Sequence, residues 1–326
     1  MPVLELDQLR VSISRPDGTE VLPVREVSLS VDAGQTLALV GESGCGKSMT
    51  CLAVAGLLPQ RARIAAGTLK LDGTDMASLT AAAAFQQRRR TVASVFQDAT
   101  GSLNPVRSIG WQIAEAVRLR RGATQAEAWA EAIRLLGRVG IAKPEDRARD
   151  YPHRFSGGMN QRAMIALAIA GSPRLLIADE ATTALDVTIQ AQILDLLADL
   201  QAEMGMAVLL VTHDLGVVAR VADQVAVMYA GRVVERAPVR RLFAEPRHPY
   251  TQGLLGARPR IDRDIAALVT IDGAVPPLDA MPAGCAFAPR CVSADITCDR
   301  QDPSAARDGA GRFVACHRPG AARVAA

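Results

Sequence analysis

The stretch that decides the fold is Gly41-Glu42-Ser43-Gly44-Cys45-Gly46-Lys47-Ser48, which directly follows an apolar run at residues 36–40. Glycines at this spacing ahead of a Lys-Ser pair are typical of a phosphate-binding loop. They let the backbone turn tightly enough to aim N–H groups at phosphate oxygens, while Lys47 supplies a positive charge and the Ser48 hydroxyl can ligate Mg²⁺. Residues 49–58 predict a helix whose N-terminus faces the phosphates. The stretch therefore predicts a nucleoside triphosphate as ligand.

The composition limits the class of protein. The chain has 326 residues, of which 49% are hydrophobic and 22% charged, which predicts one large domain plus an appendage. A net charge of +3 is too close to neutral to indicate electrostatic binding of nucleic acid. No apolar run approaches the roughly 18 to 20 residues needed to cross a bilayer, and the N-terminus lacks a signal-peptide pattern. We therefore expect a cytosolic protein that reaches a membrane only through partner chains.

Short apolar runs around the loop indicate an α/β fold. Strand-like runs lie at residues 3–40, 91–96, 175–178 and 207–211, and helical patterns at 126–139 and 190–204. The last two strands are continuous in apolar character and are separated by a helix. This arrangement fits buried parallel strands joined by a crossover.

Acidic residues end one of these strands. Asp179 and Glu180 directly follow the run at 175–178, and open α/β sheets place their ligand crevice at such carboxyl ends. Asp179 is expected to hold Mg²⁺ and Glu180 to polarise the attacking water. A solvated acidic turn would look the same in isolation, but the phosphate loop upstream favours the functional interpretation.

Two further motifs precede helices or follow strands. Ser156-Gly157-Gly158 opens an apolar helix; a helix cap explains the serine, whereas each glycine costs a helix about 1 kcal/mol relative to alanine. Close approach to an anionic ligand explains the glycines better. His213 follows the strand at 207–211, and although a lone histidine there is more often a packing residue, the surrounding motifs favour a role at the phosphates.

These motifs, in this order, resemble the ATP-binding cassette (ABC) ATPases that power membrane transporters. The resemblance covers residues 3–245 and implies an α/β P-loop ATPase cassette: a RecA-like core, an antiparallel β-subdomain, and a helical subdomain at about 100–165. It implies a domain boundary at 245/246, with a cysteine-bearing extension at 246–326. Gln97 matches the glutamine loop, Ala184-Leu185-Asp186 the D-loop, and His213 the switch histidine.

The resemblance also implies the site residues. Catalytic roles fall to Glu180, His213, Gln97 and Lys47, and the Mg²⁺ ligands are Ser48, Gln97 and Asp179. The implied nucleotide contacts are Gly41, Ser43, Gly44, Cys45, Gly46, Lys47, Ser48, Met49, Gln97, Asp179, Ser156, Gly157, Gly158, Asp186 and Ile13. In this family two ATPase subunits form a head-to-tail dimer, and the signature residues of one subunit close over the ATP of the other.

Three positions depart from the family pattern. Ile13 stands where an aromatic residue usually stacks on adenine, and no Phe, Tyr or Trp precedes Phe85. Because base–aromatic stacking is worth about 1 to 3 kcal/mol, we expect weaker or less adenine-selective binding. Phe155 replaces a common leucine and Asn160 a frequent basic residue; both changes are expected to modulate closure rather than abolish it.

A narrower resemblance extends over nearly the whole chain. Its motifs are 96–98, 102–105, 151–153, 246–255 and 284–291, all similar to the ATPase subunits of bacterial dipeptide and oligopeptide importers. This implies an ATP-hydrolysing translocase subunit on the cytoplasmic face of the inner membrane. The implied partners are a second, related ATPase, two membrane permeases docked near residues 100–150, and an extracytoplasmic peptide-binding protein. A nickel importer ATPase and a soluble, non-transport ABC ATPase are the alternatives.

Four cysteines cluster near the C-terminus, at Cys285, Cys291, Cys298 and Cys316. In a reducing cytosol such clustering favours a metal over disulfides. The spacing lacks the tight Cys-x-x-Cys pair usual for zinc and leaves zinc and iron–sulfur equally open. The family resemblance implies a 4Fe-4S cluster, with zinc and unligated thiols as the alternatives. The cluster is expected to stabilise the extension rather than to sense the redox state.

Overall fold

The computed structural model describes residues 1–181, 186–257, 271–308 and 312–320. These residues divide into two compact units. The first contains residues 1–4, 31–35 and 70–210, and the second contains residues 5–30, 36–69 and 211–326 as far as they are described.

The strands are β1 Pro2–Ser14, β2 Glu20–Asp32, β3 Thr36–Val40, β4 Ala62–Leu71, β5 Thr74–Asp75, β6 Val92–Val95, β7 Leu175–Asp179, β8 Ala207–Val211, β9 Gln224–Tyr229, β10 Arg232–Pro238, β11 Ala306–Arg307 and β12 Phe313–Val314. The α-helices are α1 Lys47–Ala55, α2 Ala81–Thr91, α3 Ala99–Ser102, α4 Ile109–Arg121, α5 Gln125–Arg138, α6 Pro144–Arg147, α7 Gly157–Ile169, α8 Val187–Met204, α9 Leu215–Val221, α10 Val239–Ala244, α11 Pro249–Gly256 and α12 Ile296–Arg300. Single 3₁₀ turns lie at Met76–Ser78, Pro152–Arg154 and Ala288–Arg290.

The first unit combines a short parallel sheet with a group of helices. Its strands run in the order β8-β7-β6, and β6 pairs in parallel with β7 from Val92 opposite Leu175 to Val95 opposite Ala178. Helices α4 and α5 pack against each other and against α7. A capping box between Thr124 and Glu127 starts α5, whose apolar face is buried at every third or fourth residue.

The second unit is built on the strand that precedes the phosphate loop. Every residue of β3 is buried, and β3 pairs in parallel with β9, which pairs antiparallel with β10. The strands of the second unit run in the order β11-β12-β10-β9-β3. Strands β2, β1 and β4 lie side by side in a separate sheet. This places the loop at the carboxyl end of a buried parallel strand.

The C-terminal segment packs into the same hydrophobic cluster as β3 and β9. Tyr229 of β9, Tyr250 of α11 and Phe287 form an aromatic group with ring centroids 4.7 to 5.4 Å apart. A buried ion pair joins Arg312 to Glu235 of β10 at 3.1 Å. The described part of the tail therefore shares a core with the phosphate-loop strand.

The predicted elements agree with the structure except at their ends. The first helix ends at Ala55, three residues before the predicted end, because Gly56 adopts a left-handed conformation with φ 75° at the C-cap. Helix α8 begins at Val187, three residues before its predicted start, because the Asp186 side chain caps it by accepting a hydrogen bond from the Ile189 N–H. In the part of the chain that the structure describes, none of the helices has the length and apolar character that spanning a bilayer requires.

Candidate functional site

The phosphate loop is a tight turn that only glycine permits at several positions. Gly41, Gly44 and Gly46 have φ values of 152°, 79° and 105°, a region that L-residues rarely adopt. A Cβ on Gly41 would lie 2.2 Å from the Met228 carbonyl oxygen, and one on Gly46 would lie 2.4 Å from that of Pro23. Gly41 and Gly46 are therefore required by both conformation and packing, and Gly44 is required by its conformation.

Lys47 begins α1 and is buried at 6% exposure. Its ammonium group donates to the carbonyl oxygens of Gly41 and Glu42, both at 2.8 Å. The positive end of the helix and the lysine charge thus lie together at the loop. Ser48 is exposed on the same helix, and Met49 is half-buried beside it.

Cys45 is a buried filler of the loop. Its Sγ lies 3.6 Å from the Lys47 ammonium, and burial raises the pKa of the thiol. Because the thiolate is the reactive form, the raised pKa disfavours oxidation at this position.

Two other predicted residues belong to the same unit as the loop. His213 is exposed and lies between the end of β8 and the start of α9, which Asp214 caps. Ile13 is half-buried in β1.

The first unit contains the acidic strand end and the glutamine loop. Asp179 is the last residue of β7, and Glu180 follows it with a φ of 49°. A left-handed backbone at a glutamate costs free energy, and such conformations concentrate at functional sites. Gln97 is exposed two residues beyond the end of β6. Both motifs thus lie just beyond the carboxyl ends of neighbouring strands.

The signature motif forms the exposed start of α7. Ser156 is the N-cap and accepts a hydrogen bond from the Met159 N–H at 3.3 Å, and Gly157 is exposed beside it. A Cβ on Gly158 would lie 2.9 Å from Cγ2 of Ile189 in α8. Helix packing within the chain therefore also requires a small residue at position 158.

The two departures near the signature have structural roles. Phe155 is buried. Asn160 is 2% exposed, and its amide donates to the Thr100 hydroxyl at 3.2 Å and the Pro152 carbonyl at 3.1 Å. A buried asparagine with two partners ties α7 to the segments before it.

The D-loop lies mostly outside the described residues. Ala184 and Leu185 are not among them, whereas Asp186 is described as the N-cap of α8.

The structure corrects the prediction of a metal cluster in the tail. All four tail cysteines are free thiols, and no group of three or more His, Cys, Asp or Glu side chains that could hold a metal ion occurs within residues 1–181, 186–257, 271–308 and 312–320. The four thiols line one cavity of about 10 Å³, the space of about one water. Burial raises the pKa of Cys285 and Cys291, and it raises the pKa of Cys316 to about 11. Burial therefore disfavours the thiolate form of these three cysteines.

Glu42 of the loop contacts two residues of the tail, and none of the three had a predicted role. Arg290 of the tail forms an ion pair with Glu42 of the loop at 2.7 Å. The Tyr250 hydroxyl accepts a hydrogen bond from the Glu42 N–H at 2.8 Å. Both tail residues lie in motifs that the resemblance singled out, but nothing in the local sequence pairs either with residue 42.

Two family models match the chain. One is described as ABC transporter and matches residues 24–183, and the other as oligopeptide/dipeptide transporter, C-terminal region, and matches residues 234–298. Neither description names an iron–sulfur protein.

Curated relatives match over nearly the full length. A Brucella melitensis protein, provisionally named a peptide import ATP-binding protein, is 47% identical over 315 residues, 97% of this chain and 94% of that protein. A second protein of the same species, with the same description, is 49% identical over 93% of each chain.

Solved structures show the same fold. A dimeric ATP-binding cassette in a post-hydrolysis state with ADP and Pi has a TM-score of 0.65 and 25% identity, covering 73% of this chain and 99% of that chain. A Clostridium perfringens protein that is part of an ABC transporter complex has a TM-score of 0.64 and 26% identity, covering 75% of this chain and 91% of that chain.

Proposed function

The chain belongs to the ABC transporter family. We propose which of its residues bind the nucleotide, hydrolyse it and contact partner subunits within a peptide importer. The chain is an ATP-hydrolysing subunit of such an importer: its relatives are described as peptide import ATP-binding proteins, and its C-terminal segment matches the oligopeptide/dipeptide transporter model. ATP and Mg²⁺ are the cofactors that this activity implies.

The phosphate loop binds the triphosphate. Lys47, now hydrogen-bonded to two loop carbonyls, contacts the β- and γ-phosphates through its ammonium group, and the loop N–H groups from Gly41 to Met49 surround them. The Ser48 hydroxyl, the Asp179 carboxylate and the Gln97 amide are oxygen donors of the type that Mg²⁺ prefers. When bound, Mg²⁺ neutralises charge that develops on the phosphates.

Glu180 acts as the general base and His213 orients the reacting groups. A carboxylate beyond a strand end can accept a proton from an attacking water, and its left-handed backbone supports a functional constraint at this position. The exposed His213 imidazole supplies a hydrogen bond to the γ-phosphate, and Ile13 provides aliphatic contact to the adenine.

The signature residues serve the ATP of a partner ATPase. Ser156, Gly157 and Gly158 contact the partner's nucleotide across a head-to-tail dimer, and Asp186 lies at the same interface. The exposure of Ser156 and Gly157 supports this assignment.

The assembly follows from the proposed role in import. The chain pairs with a second, related ATPase on the cytoplasmic face of the inner membrane, beneath two permeases supplied by an extracytoplasmic peptide-binding protein. We assign residues 1–245 to the ATPase domain, with a helical subdomain at about 100–165, and residues 246–326 to a C-terminal extension.

One observation carries the proposal. A buried lysine stands at the start of α1, behind three glycines in left-handed conformations, at the carboxyl end of a buried parallel strand. This combination of backbone N–H groups, helix dipole and lysine charge is suited to polyphosphate.

The test is purification of the tagged full-length chain from its native membrane, with identification of the proteins that accompany it. We expect two permeases and a second ATPase in the eluate, and peptide-stimulated ATP hydrolysis after reconstitution. Ribosomal proteins in place of permeases would overturn the proposal.

Lys47→Ala provides the matched control. This variant should retain the partner proteins but lose MgATP binding. Unchanged MgATP binding in Lys47→Ala would remove the loop from the proposed site.

A further inference from the structure

Glu42 of the phosphate loop is held at three points. Its carboxylate pairs with Arg290, its N–H donates to the Tyr250 hydroxyl, and its carbonyl accepts from the Lys47 ammonium. Two of these partners come from the C-terminal segment and the third is the proposed phosphate-binding lysine. Residue 42 is thus a direct link between the tail and Lys47.

The Arg290 contact is bidentate and shielded from water. Its guanidinium donates to one Glu42 oxygen at 2.7 Å and to the other at 3.0 Å, and its side chain is 6% exposed. The guanidinium also donates to the carbonyls of Ile271 at 3.1 Å and Asp272 at 2.8 Å and to the Tyr229 hydroxyl at 3.4 Å. A two-pronged charge-assisted contact fixes both the distance and the orientation of the carboxylate. Hydrogen bonding to Glu42 raises the pKa of Arg290, so the charge is permanent.

The Tyr250 contact acts on the loop backbone. Its ring is fully buried against Tyr229 and Phe287, so the hydroxyl has little freedom to follow a moving partner. Because the Glu42 N–H follows Gly41, the bond at 2.8 Å fixes the first turn of the loop.

Other contacts also attach the tail to the same unit. The ion pair between Arg312 and Glu235 and the aromatic cluster already join the tail to β9 and β10. The contacts at Glu42 have a separate consequence, which is to restrain the loop.

We propose that Arg290 and Tyr250 are positioning residues that hold the phosphate loop, through Glu42, in the conformation from which Lys47 binds the phosphates. The C-terminal segment thereby sets the nucleotide affinity of its own subunit. This inference rests on the proposed role of Lys47.

The main test is a double-mutant cycle on the full-length chain. MgATP dissociation constants are measured for the wild type, Glu42→Gln, Arg290→Ala and the double variant, together with unfolding temperatures. Each single change leaves a buried charge or a loop carboxylate without its partner, and we expect MgATP binding to weaken about tenfold. The double variant should bind MgATP about as tightly as whichever single variant binds it less tightly, because both changes break the same contact.

Conservative variants separate positioning from simple folding. Arg290→Lys keeps the charge but loses the fork and should recover part of the affinity. Tyr250→Phe keeps the packed ring and removes only the acceptor for the Glu42 N–H, and it should weaken MgATP binding by about fivefold. Should Arg290→Ala fail to fold, Glu42→Gln and Tyr250→Phe carry the test.

Arg318→Ala is the matched control, since Arg318 forms a tail ion pair with Asp295 away from the loop. It should leave the MgATP affinity unchanged. Wild-type affinity in folded Glu42→Gln and Tyr250→Phe, or additive losses in the cycle, would overturn the inference. Those results would leave the role of Lys47 intact, whereas unchanged binding in Lys47→Ala would refute the proposed site itself.

Discussion

The phosphate loop and the signature motif are both glycine-containing helix starts, yet their surroundings differ. In the first, three glycines have left-handed conformations, Lys47 is buried, and Glu42 is held by two tail residues. In the second, Ser156 and Gly157 are exposed, and the serine caps its own helix. Residues of the same chain pack around the phosphate loop, whereas the start of the signature helix is exposed. The composite site proposed above uses this difference, because each subunit would contribute a buried phosphate loop and an exposed signature.

Glu180→Gln should give the largest effect. The amide keeps the size of the side chain but cannot accept the proton of an attacking water, so turnover should fall about 100- to 10,000-fold while MgATP binding persists. Single-turnover hydrolysis and equilibrium binding measure the two quantities. Glu203→Gln, which alters an exposed ion pair with Arg138, is the control. Wild-type turnover in Glu180→Gln would place the base elsewhere.

Acid should lower the stability of the unit that contains the phosphate loop more than that of the unit that contains the signature. His248 is fully buried two residues before Tyr250, and burial lowers its pKa from 6.5 to about 4. The unfolded chain therefore binds a proton between these pH values while the folded chain does not. The stabilisation is complete above pH 6.5 and falls by up to about 3 kcal/mol as the pH approaches about 4.

The variant His248→Asn should remove this dependence. Asparagine can cap α11 as the His248 Nδ1 does by accepting from the Tyr250 N–H, but it does not titrate. Chemical denaturation at several pH values measures the free energy of unfolding. An identical pH dependence in His248→Asn and the wild type would contradict the assignment.

Ser156→Ala should separate the two helix starts by their dependence on a partner. In the proposed dimer, loss of the hydroxyl removes a hydrogen-bond donor to the partner's nucleotide, so we expect about tenfold lower ATPase activity in the assembled importer. MgATP binding to the isolated chain should be unchanged. Ser108→Ala removes an equivalent cap from α4 and should cost about 1 kcal/mol of stability without lowering the activity. Equal losses of activity in the two variants would reduce Ser156 to a helix cap.

Ile13→Tyr should have the smallest effect and sharpen the loop half of the comparison. An aromatic ring at this position of β1 can stack on adenine, and we expect about fivefold tighter ATP binding, at the low end of stacking energies. Ser14→Tyr places the ring on the opposite face of the strand and should not tighten binding. Competition between ATP and GTP measures affinity and base preference together; unchanged values would show that residue 13 does not contact the base.

Local patterns were sufficient for the strands before the phosphate loop, for β3, β6, β7 and β8, and for the family, but they did not predict β4, β5 or β9 to β12. The apolar runs at β7 and β8 are recognisable because a buried strand must be apolar along its length. The loop glycines are recognisable because few other sequences satisfy that backbone. The positions of helix ends were predicted less accurately, because they depend on single residues such as Gly56 and Asp186.

Contacts between distant segments could not be predicted in this way. The spacing of the four tail cysteines allowed a metal site, but their packing as free thiols around a cavity of about 10 Å³ depends on how the tail folds. The sequence marked Asn160 only as a departure from the family pattern, and the structure adds that its amide links α7 to Thr100 and Pro152.

The sequence by itself determined that this chain has a phosphate loop, an acidic strand end and the order of motifs of an ABC ATPase, because each of these depends on neighbouring residues. Only the tertiary structure decided that the C-terminal segment shares a core with β3 and that Arg290 and Tyr250 contact Glu42. Those contacts join residues more than 200 positions apart, and their partners are chosen by packing, which no local pattern encodes.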